Sequence, residues 1–403
     1  MVTASASAVA ASSRLTPEEE LHWLALHLAP GLGCRRAGQL LQRFRTPEAI
    51  FRATAAELEA AGLSGSAAQS LASGCVFEEA ATQQQRARET GARLIPLASP
   101  LYPARLRTIF DPPVLLFVRG RVELLNAVSV AIVGTRRPSA YGLAATERIA
   151  RELAEAGLCV VSGMARGIDT RAHQAVLAAG GDTVAVFGCG VDVIYPAENR
   201  KLAAEIEKKG LLVSEFAMGT PGYPQNFPVR NRIVSGLSAG VLVVEGAQYS
   251  GSTITAKLAS DQGREVFAIP GNITSPLSWA PNLLIKQGAK LVQEWNDVVA
   301  ELPEPDRRQL AERRRQQLLA LEPPASPEDT EKQSVPDLPD PSAATRQALL
   351  RVLQFDKPVH LDHLMEVLEG HSASELIAAL FDMELLGLIR QLPGKNYIKV
   401  WVD

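Results

Sequence analysis

The sequence predicts an α/β protein built on a mainly parallel, doubly wound sheet. From Val128 to about Val299, short apolar runs rich in β-branched residues alternate with helical patterns. Two of these runs end in glycine turns that open helices, at Gly134 and at Gly163. Repeated strand–helix pairs of this kind form a parallel sheet through right-handed crossovers. A chain of 403 residues has room for roughly two to four domains, so further units are expected on both sides of the sheet.

Residues 1–15 read as a disordered tail, Ala- and Ser-rich with Arg14 as the only charge in the first fourteen residues; a transit peptide is the alternative. Residues 16–90 read as a small N-terminal helical domain. In it, Leu28-Ala-Pro-Gly-Leu-Gly-Cys-Arg-Arg-Ala-Gly-Gln-Leu-Leu has the form of a helix-hairpin-helix turn made by Gly31 and Gly33, and Ala61-Gly-Leu-Ser-Gly is a weaker second copy. Such hairpins aim backbone N–H groups at phosphates. Packing or protein contact is slightly favoured here, because the second copy is poor and cations are few.

Residues 91–300 form the expected sheet domain. Its strands are read at Ala92–Pro96, Val114–Val118, Val128–Val133, Leu158–Val161, Thr183–Phe187, Leu211–Ser214, Gly240–Val244 and Val266–Ile269. Helices are read from Tyr141, over Ile168–Ala179, over Arg200–Lys209, from about Arg230, and over Ser252–Asp261. Residues 301–342, charged and Pro-rich, read as a linker with one helix around Arg308–Leu319. Residues 343–403 carry helices at Arg346–Leu353, Leu361–Leu368 and Ser374–Leu386, then a hairpin around Pro393-Gly-Lys. That is the order of a C-terminal winged-helix domain. Its third helix is acidic (Glu375, Asp382, Glu384), so protein contact and DNA recognition stand level.

Composition narrows the function. No apolar run is long enough to span a membrane. Cys34, Cys75, Cys159 and Cys189 form no C-x-x-C pair and the six histidines show no ligand spacing, so a cytoplasmic, reduced protein without a metal site is expected. The net charge of −3 does not announce a nucleic-acid partner, but the acidic stretch from Glu301 to Asp340 hides a more basic remainder.

Polar or glycine-rich sets follow four strands: Gly134-Thr-Arg-Arg; Ser162-Gly-Met-Ala-Arg-Gly-Ile-Asp, which contains Arg166; Gly188-Cys-Gly leading to Tyr195-Pro-Ala-Glu-Asn; and Glu245-Gly-Ala-Gln-Tyr-Ser-Gly-Ser-Thr. In a doubly wound sheet these loops share one edge, where anions bind. Ser250, Ser252 and Thr253 suit phosphate oxygens, though they are also good helix caps. Phe227-Pro-Val-Arg-Asn-Arg adds Arg230 and Arg232, which diverge on a helix but line one groove on an extended turn, beside a ring able to stack on a base. A core phenylalanine with two structural ion pairs is the plainer reading.

These segments, with Ser-Glu-Phe, Phe-Pro-x-Arg-Asn-Arg-Ile-Val-Ser-Gly-Leu-Ser, Val-Val-Glu-Gly and Ile-Pro-Gly-Asn, resemble the DNA-processing protein A (DprA/Smf) family from about Tyr102 to Val299 in unbroken order. The resemblance implies a Rossmann-like sheet domain and a protein of natural transformation. Such a protein binds incoming single-stranded DNA, protects it and helps load the RecA recombinase, as a homodimer through the Rossmann-like domain. It implies a groove lined by Gly134, Thr135, Arg136, Phe227, Arg230, Asn231, Arg232, Ser250, Gly251, Ser252 and Thr253, with Arg166 and Lys201 at its margin. No cofactor and no catalytic residue are implied. The chain departs from the family pattern at Ser278-Trp-Ala-Pro-Asn-Leu-Leu-Ile, where Trp279 and Pro281 are expected to stiffen a pliant loop and to alter the dimer or RecA contacts.

Two enzyme classes are the rivals. A nicotinamide-dependent oxidoreductase needs G-x-G-x-x-G, yet after Gly134 the next glycine is Gly142. A nucleotide-hydrolysing enzyme on the same sheet needs a carboxylate against the ribosyl bond. Glu215 and Glu245 are candidates, each equally suited to an arginine or helix-cap partner.

Overall fold

The computed structural model describes residues 15–321, 341–353, 358–368, 370–385, 388–392 and 394–399; the expected tail and the centre of the expected linker lie outside the described residues. The chain divides into two compact units, residues 1–295 and 296–403.

The first unit opens with helices α1 (Pro17–Leu28), α2 (Cys34–Phe44), α3 (Pro47–Arg52), α4 (Ala55–Ala60), α5 (Gly65–Ser73) and α6 (Phe77–Glu89). Thr16 with Glu19, and Thr54 with Glu57, form capping boxes that start α1 and α4. Both expected hairpins are turns between helices, with Gly31 at φ +73° and Gly62 at φ +94°.

The sheet domain follows as β1 (Arg93–Pro96), α7 (Ala104–Arg107), β2 (Leu115–Gly120), β3 (Ser129–Val133), α8 (Ala140–Glu155), β4 (Cys159–Ser162), α9 (Ile168–Ala178), β5 (Thr183–Phe187), α10 (Arg200–Lys209), β6 (Leu211–Ser214), α11 (Asn226–Leu237), β7 (Gly240–Val243), α12 (Gly251–Asp261), β8 (Glu265–Ala268), α13 (Trp279–Lys286) and β9 (Lys290–Leu291). Nine strands lie in the order β1-β2-β6-β5-β4-β3-β7-β8-β9. From β3 to β9 neighbouring strands are parallel, while β1 and β2 add an antiparallel edge. The chain builds outward from β3 through β4, β5 and β6, then crosses back to place β7 on the other flank of β3. The strand order therefore reverses beside β3, and a doubly wound sheet opens its ligand crevice at such a point, beyond the strands' C-terminal ends.

Strand β2 joins the helical segment to the sheet. Leu115 and Phe117 enter the apolar cluster shared with the helices, while Leu116 and Val118 enter the cluster on the other face. The His27 ring of α1 meets Phe117 edge-on with centroids 5.6 Å apart, and burial lowers its pKa from 6.5 to about 4.

Two expectations fail for one physical reason. Helix α11 starts at Asn226, not near Arg230, so the extended turn is not formed. Helix α13 replaces the stiff loop expected around Trp279 and Pro281. Pro228 and Pro281 each occupy the third position of a helix, where the missing N–H would have had no intrahelical partner.

In the second unit α14 (Trp295–Val299) runs in from the boundary, and α15 (Glu304–Leu321) extends the helix expected in the linker. Then come α16 (Pro341–Val352), β10 (Val359–His360), α17 (Leu361–Val367), α18 (Ala373–Leu385), β11 (Ile389–Leu392) and β12 (Asn396–Lys399). The strands pair as β10-β12-β11 over a core that includes Leu349, Leu364, Leu380, Met383 and Ile389. This is a winged helix, with β10 as a short strand that the residue pattern did not reveal. Among the described residues no helix is long and apolar enough to cross a membrane.

Candidate nucleic-acid interface

A cavity of about 310 Å³ opens at the switch point. Gly134, Thr135 and Arg136 wall it from the loop after β3, Phe227, Arg230 and Asn231 from α11, and Ser250, Gly251 and Ser252 from the start of α12.

The loop after β3 is tied down. The Thr135 N–H donates to the Glu245 carbonyl at 2.8 Å, and the Ile168 N–H to the Thr135 carbonyl at 3.2 Å. Arg136 is exposed and reaches across the cavity mouth, its guanidinium carbon 5.5 Å from the Phe227 ring centroid. It forms no ion pair among the described residues.

Across from it, α12 begins without a side-chain cap. The Ser250 hydroxyl lies 2.7 Å from that of Ser252 and 3.2 Å from that of Thr253, and the Thr253 hydroxyl donates to the Ser250 carbonyl at 2.5 Å, so the Ser250 side chain is engaged with its neighbours and does not cap the helix. Gly246 makes room for them: a Cβ there would fall 2.7 Å from both serine oxygens. An uncapped N-terminus carries free N–H groups and partial positive charge, which together attract a phosphate.

The loop after β4 does not add to this. Its Gly163 and Ala165 N–H groups donate to the Asp169 carboxylate at 3.1 and 3.3 Å. Burial pushes the Asp169 carboxyl up, opposed by the guanidinium of Arg230. Arg230 is itself buried and donates to the carbonyls of Gly163 and Val186. The buried acid and base at the floor of the cavity are thus both taken up by backbone groups, and the cation presented to a ligand is Arg136.

This arrangement can be set beside known proteins. Residues 93–303 match the family model of DNA recombination-mediator protein A. The chain belongs to that family. Residues 320–395 match the family's winged-helix domain. The DNA processing protein DprA of Bacillus subtilis is 45% identical over 218 residues, 54% of this chain and 73% of that protein. Protein Smf of Escherichia coli is 40% identical over 308 residues, 76% of this chain and 77% of that protein. The X-ray structure of DNA processing protein A from Streptococcus pneumoniae aligns with a TM-score of 0.64 at 34% identity, covering 72% of this chain and 99% of that one.

Four residues carried over from the family motifs stand outside the cavity. Arg232 points the opposite way from Arg230, as two helical residues two apart must. It is buried, pairs with Glu215, and has its Nε 3.2 Å from Asp111 Oδ2. Arg232 is therefore corrected from groove lining to the plainer reading, a structural ion pair. Arg166 is exposed and forms a two-point pair with Glu198. Lys201 is exposed in the first turn of α10, and Thr253 contributes through its bond to Ser250.

Both candidate acids are engaged. Glu245 accepts from the Ser139 N–H at 2.9 Å and from its hydroxyl at 2.5 Å, and Ser139 in turn caps α8. Glu215 holds Arg232. The sequence reading missed two residues here. Asp169 stands inside a glycine-rich motif that hides its role, although a carboxylate at the second position of a helix is suited to capture preceding N–H groups. Tyr195 carries no local signal beyond its place in a loop, yet its ring packs on Phe227 with centroids 5.4 Å apart.

Proposed function

We propose that this protein binds single-stranded DNA in natural transformation, protects it, and helps load RecA onto it. It would act as a cytoplasmic homodimer and use neither cofactor nor catalysis. One observation carries the reading: the uncapped α12 N-terminus and the Arg136–Phe227 pair face each other across a single cavity. The α12 end and the Arg136 guanidinium suit a phosphate and the Phe227 ring an unpaired base, and only a single strand offers both at once. Exposed Ile273, Trp279 and Leu291, at 92%, 39% and 44%, beside the two-residue edge strand β9, support a dimer through the sheet domain.

Titration with a single strand and with the blunt duplex of the same sequence, across salt, tests the reading. Tighter binding of the single strand with little sequence preference is expected; equal affinity for both overturns it. Nucleotide hydrolysis, the alternative, predicts free base after incubation with nucleoside monophosphates.

A further inference from the structure

We propose that Asp169 is a specificity-determining residue of the cavity: its carboxylate fills a second phosphate position from within, so the site takes a phosphodiester link of a strand and refuses the terminal phosphate of a free nucleotide. The inference rests on the reading of the cavity as a single-strand site and says which phosphates that site admits.

The turn after β4 has the build of a phosphate cradle. Met164 sits at φ +57° although it is not glycine, and Gly167 follows at φ +78°. Left-handed backbone of this kind turns neighbouring N–H groups toward one point. In a doubly wound sheet such a point, at the start of a helix, binds phosphate. Here the Gly163 and Ala165 N–H groups converge on Asp169 Oδ2, at 3.1 and 3.3 Å. Asp169 is the second residue of α9, so the helix supplies its own anion at its positive end.

Arg230 stands behind the same turn and is 4% exposed. A Cβ on Gly163 would collide with its guanidinium, which therefore lies directly against that backbone. Its Nη1 donates to the carbonyls of Gly163 and Val186, while its Nη2 donates to no group among the described residues. A buried guanidinium with a donor left over favours negative charge nearby.

The charges set which anion fits. Arg136, Asp169 and Arg230 are the charged residues that line the cavity. Together they leave one net positive charge, which matches the single negative charge of a phosphodiester link. A terminal phosphate carries about −1.5 to −2 at pH 7. Asp169 repels that extra charge, and the N–H groups that could have held it are taken. A cavity with Arg136 and Arg230 but no carboxylate would rank the two phosphates the other way, because attraction grows with ligand charge.

The test uses thymidine 5′-monophosphate and its methyl ester, which differ in that charge, each as a competitor of labelled oligo(dT) on the full chain. In the native protein the methyl ester is expected to compete at least about tenfold better. Asp169→Asn removes the charge and keeps the side-chain size. It is expected to raise the affinity for the monophosphate at least about tenfold and to abolish or invert the preference. A carboxylate that merely supports the turn predicts weaker binding of both compounds by one factor, with their ratio unchanged. If Asp169→Asn does not fold, the native ranking decides. A native protein that binds the monophosphate as tightly as the methyl ester, or tighter, overturns the proposal, as does a folded Asp169→Asn that keeps the native ratio. The single-strand reading is judged apart. If Arg136→Ala leaves oligo(dT) binding unaffected, that reading fails; if Arg136→Ala weakens the strand while the two compounds bind alike, only the role of Asp169 fails.

Discussion

Arg136 and Phe227 come from different elements, the loop after β3 and the second residue of α11, yet the guanidinium lies 5.5 Å from the ring centroid. The contact holds a long, otherwise unpaired side chain across the cavity mouth. It also leaves the guanidinium its full hydrogen-bonding capacity for an incoming anion. The charge is therefore presented in place, opposite a helix N-terminus that has no cap of its own.

That opposition yields a substitution with effects of opposite sign. Gly251 is exposed, and a Cβ there meets nothing within 4 Å. Gly251→Asp puts a carboxylate where the phosphate is expected. A carboxylate at a helix start stabilises by about 0.3–1 kcal/mol. The melting temperature is expected to hold or rise while single-strand affinity falls at least about tenfold. Melting curves and titrations on one preparation check this; affinity that stays high would remove the phosphate from α12.

Arg232 predicts the reverse pattern. Burial pushes the Glu215 carboxyl up, and the Arg232 guanidinium opposes this. Arg232→Met leaves Glu215 buried without its partner, a change worth about 3 kcal/mol or more of stability. The folded fraction should bind single strands with unchanged salt slope. A variant of native stability with a smaller slope would return Arg232 to the groove.

Much of this was legible in the residues. The runs Val128–Val133, Thr183–Phe187 and Leu211–Ser214 are short, apolar and bounded by turn residues, which leaves few alternatives to buried parallel strands. The shared edge of the loops followed from topology alone, so Gly134, Arg136 and Ser250 came out together. What failed turned on proline. Pro281 suggests a stiff loop, and Phe227-Pro-Val-Arg-Asn-Arg leaves helix and extended turn open, but in a first turn proline is tolerated, and that choice decides which way Arg230 and Arg232 point. Tyr195 and the Asp169 carboxylate were hidden because their roles depend on neighbours distant in sequence. Strands of two residues, such as β9, carry no periodicity to read.

Acid should weaken the fold in a defined window. His27 is lowered from 6.5 to about 4, chiefly by burial, and His173 to about 3, by burial and then by Arg230. His173 Nδ1 lies 2.7 Å from Thr183 Oγ1, whose own proton goes to the Val160 carbonyl, so the neutral ring donates through Nδ1. Both groups are depressed in the folded protein, so the unfolded chain binds more protons below pH 6.5. Their contribution is present above that value and is lost as pH falls toward 4 and then 3. For His27 the loss is about 3 kcal/mol when complete. Denaturant midpoints between pH 7 and 4.5 should fall steadily in the native protein and less steeply in His27→Leu. Parallel slopes in the two would show that His27 does not titrate in this way.

The central claim, that the cavity at the strand switch point holds a single-strand phosphate against Arg136, is tested most directly by Arg136→Ala. Single-strand affinity should be measured across salt, and the melting temperature on the same preparation. Loss of one phosphate contact predicts lower affinity and a log–log salt slope reduced by about 0.7, with stability changed by less than about 0.5 kcal/mol for an exposed residue. A clear loss of stability with the salt slope unchanged would contradict the account and make Arg136 a structural residue.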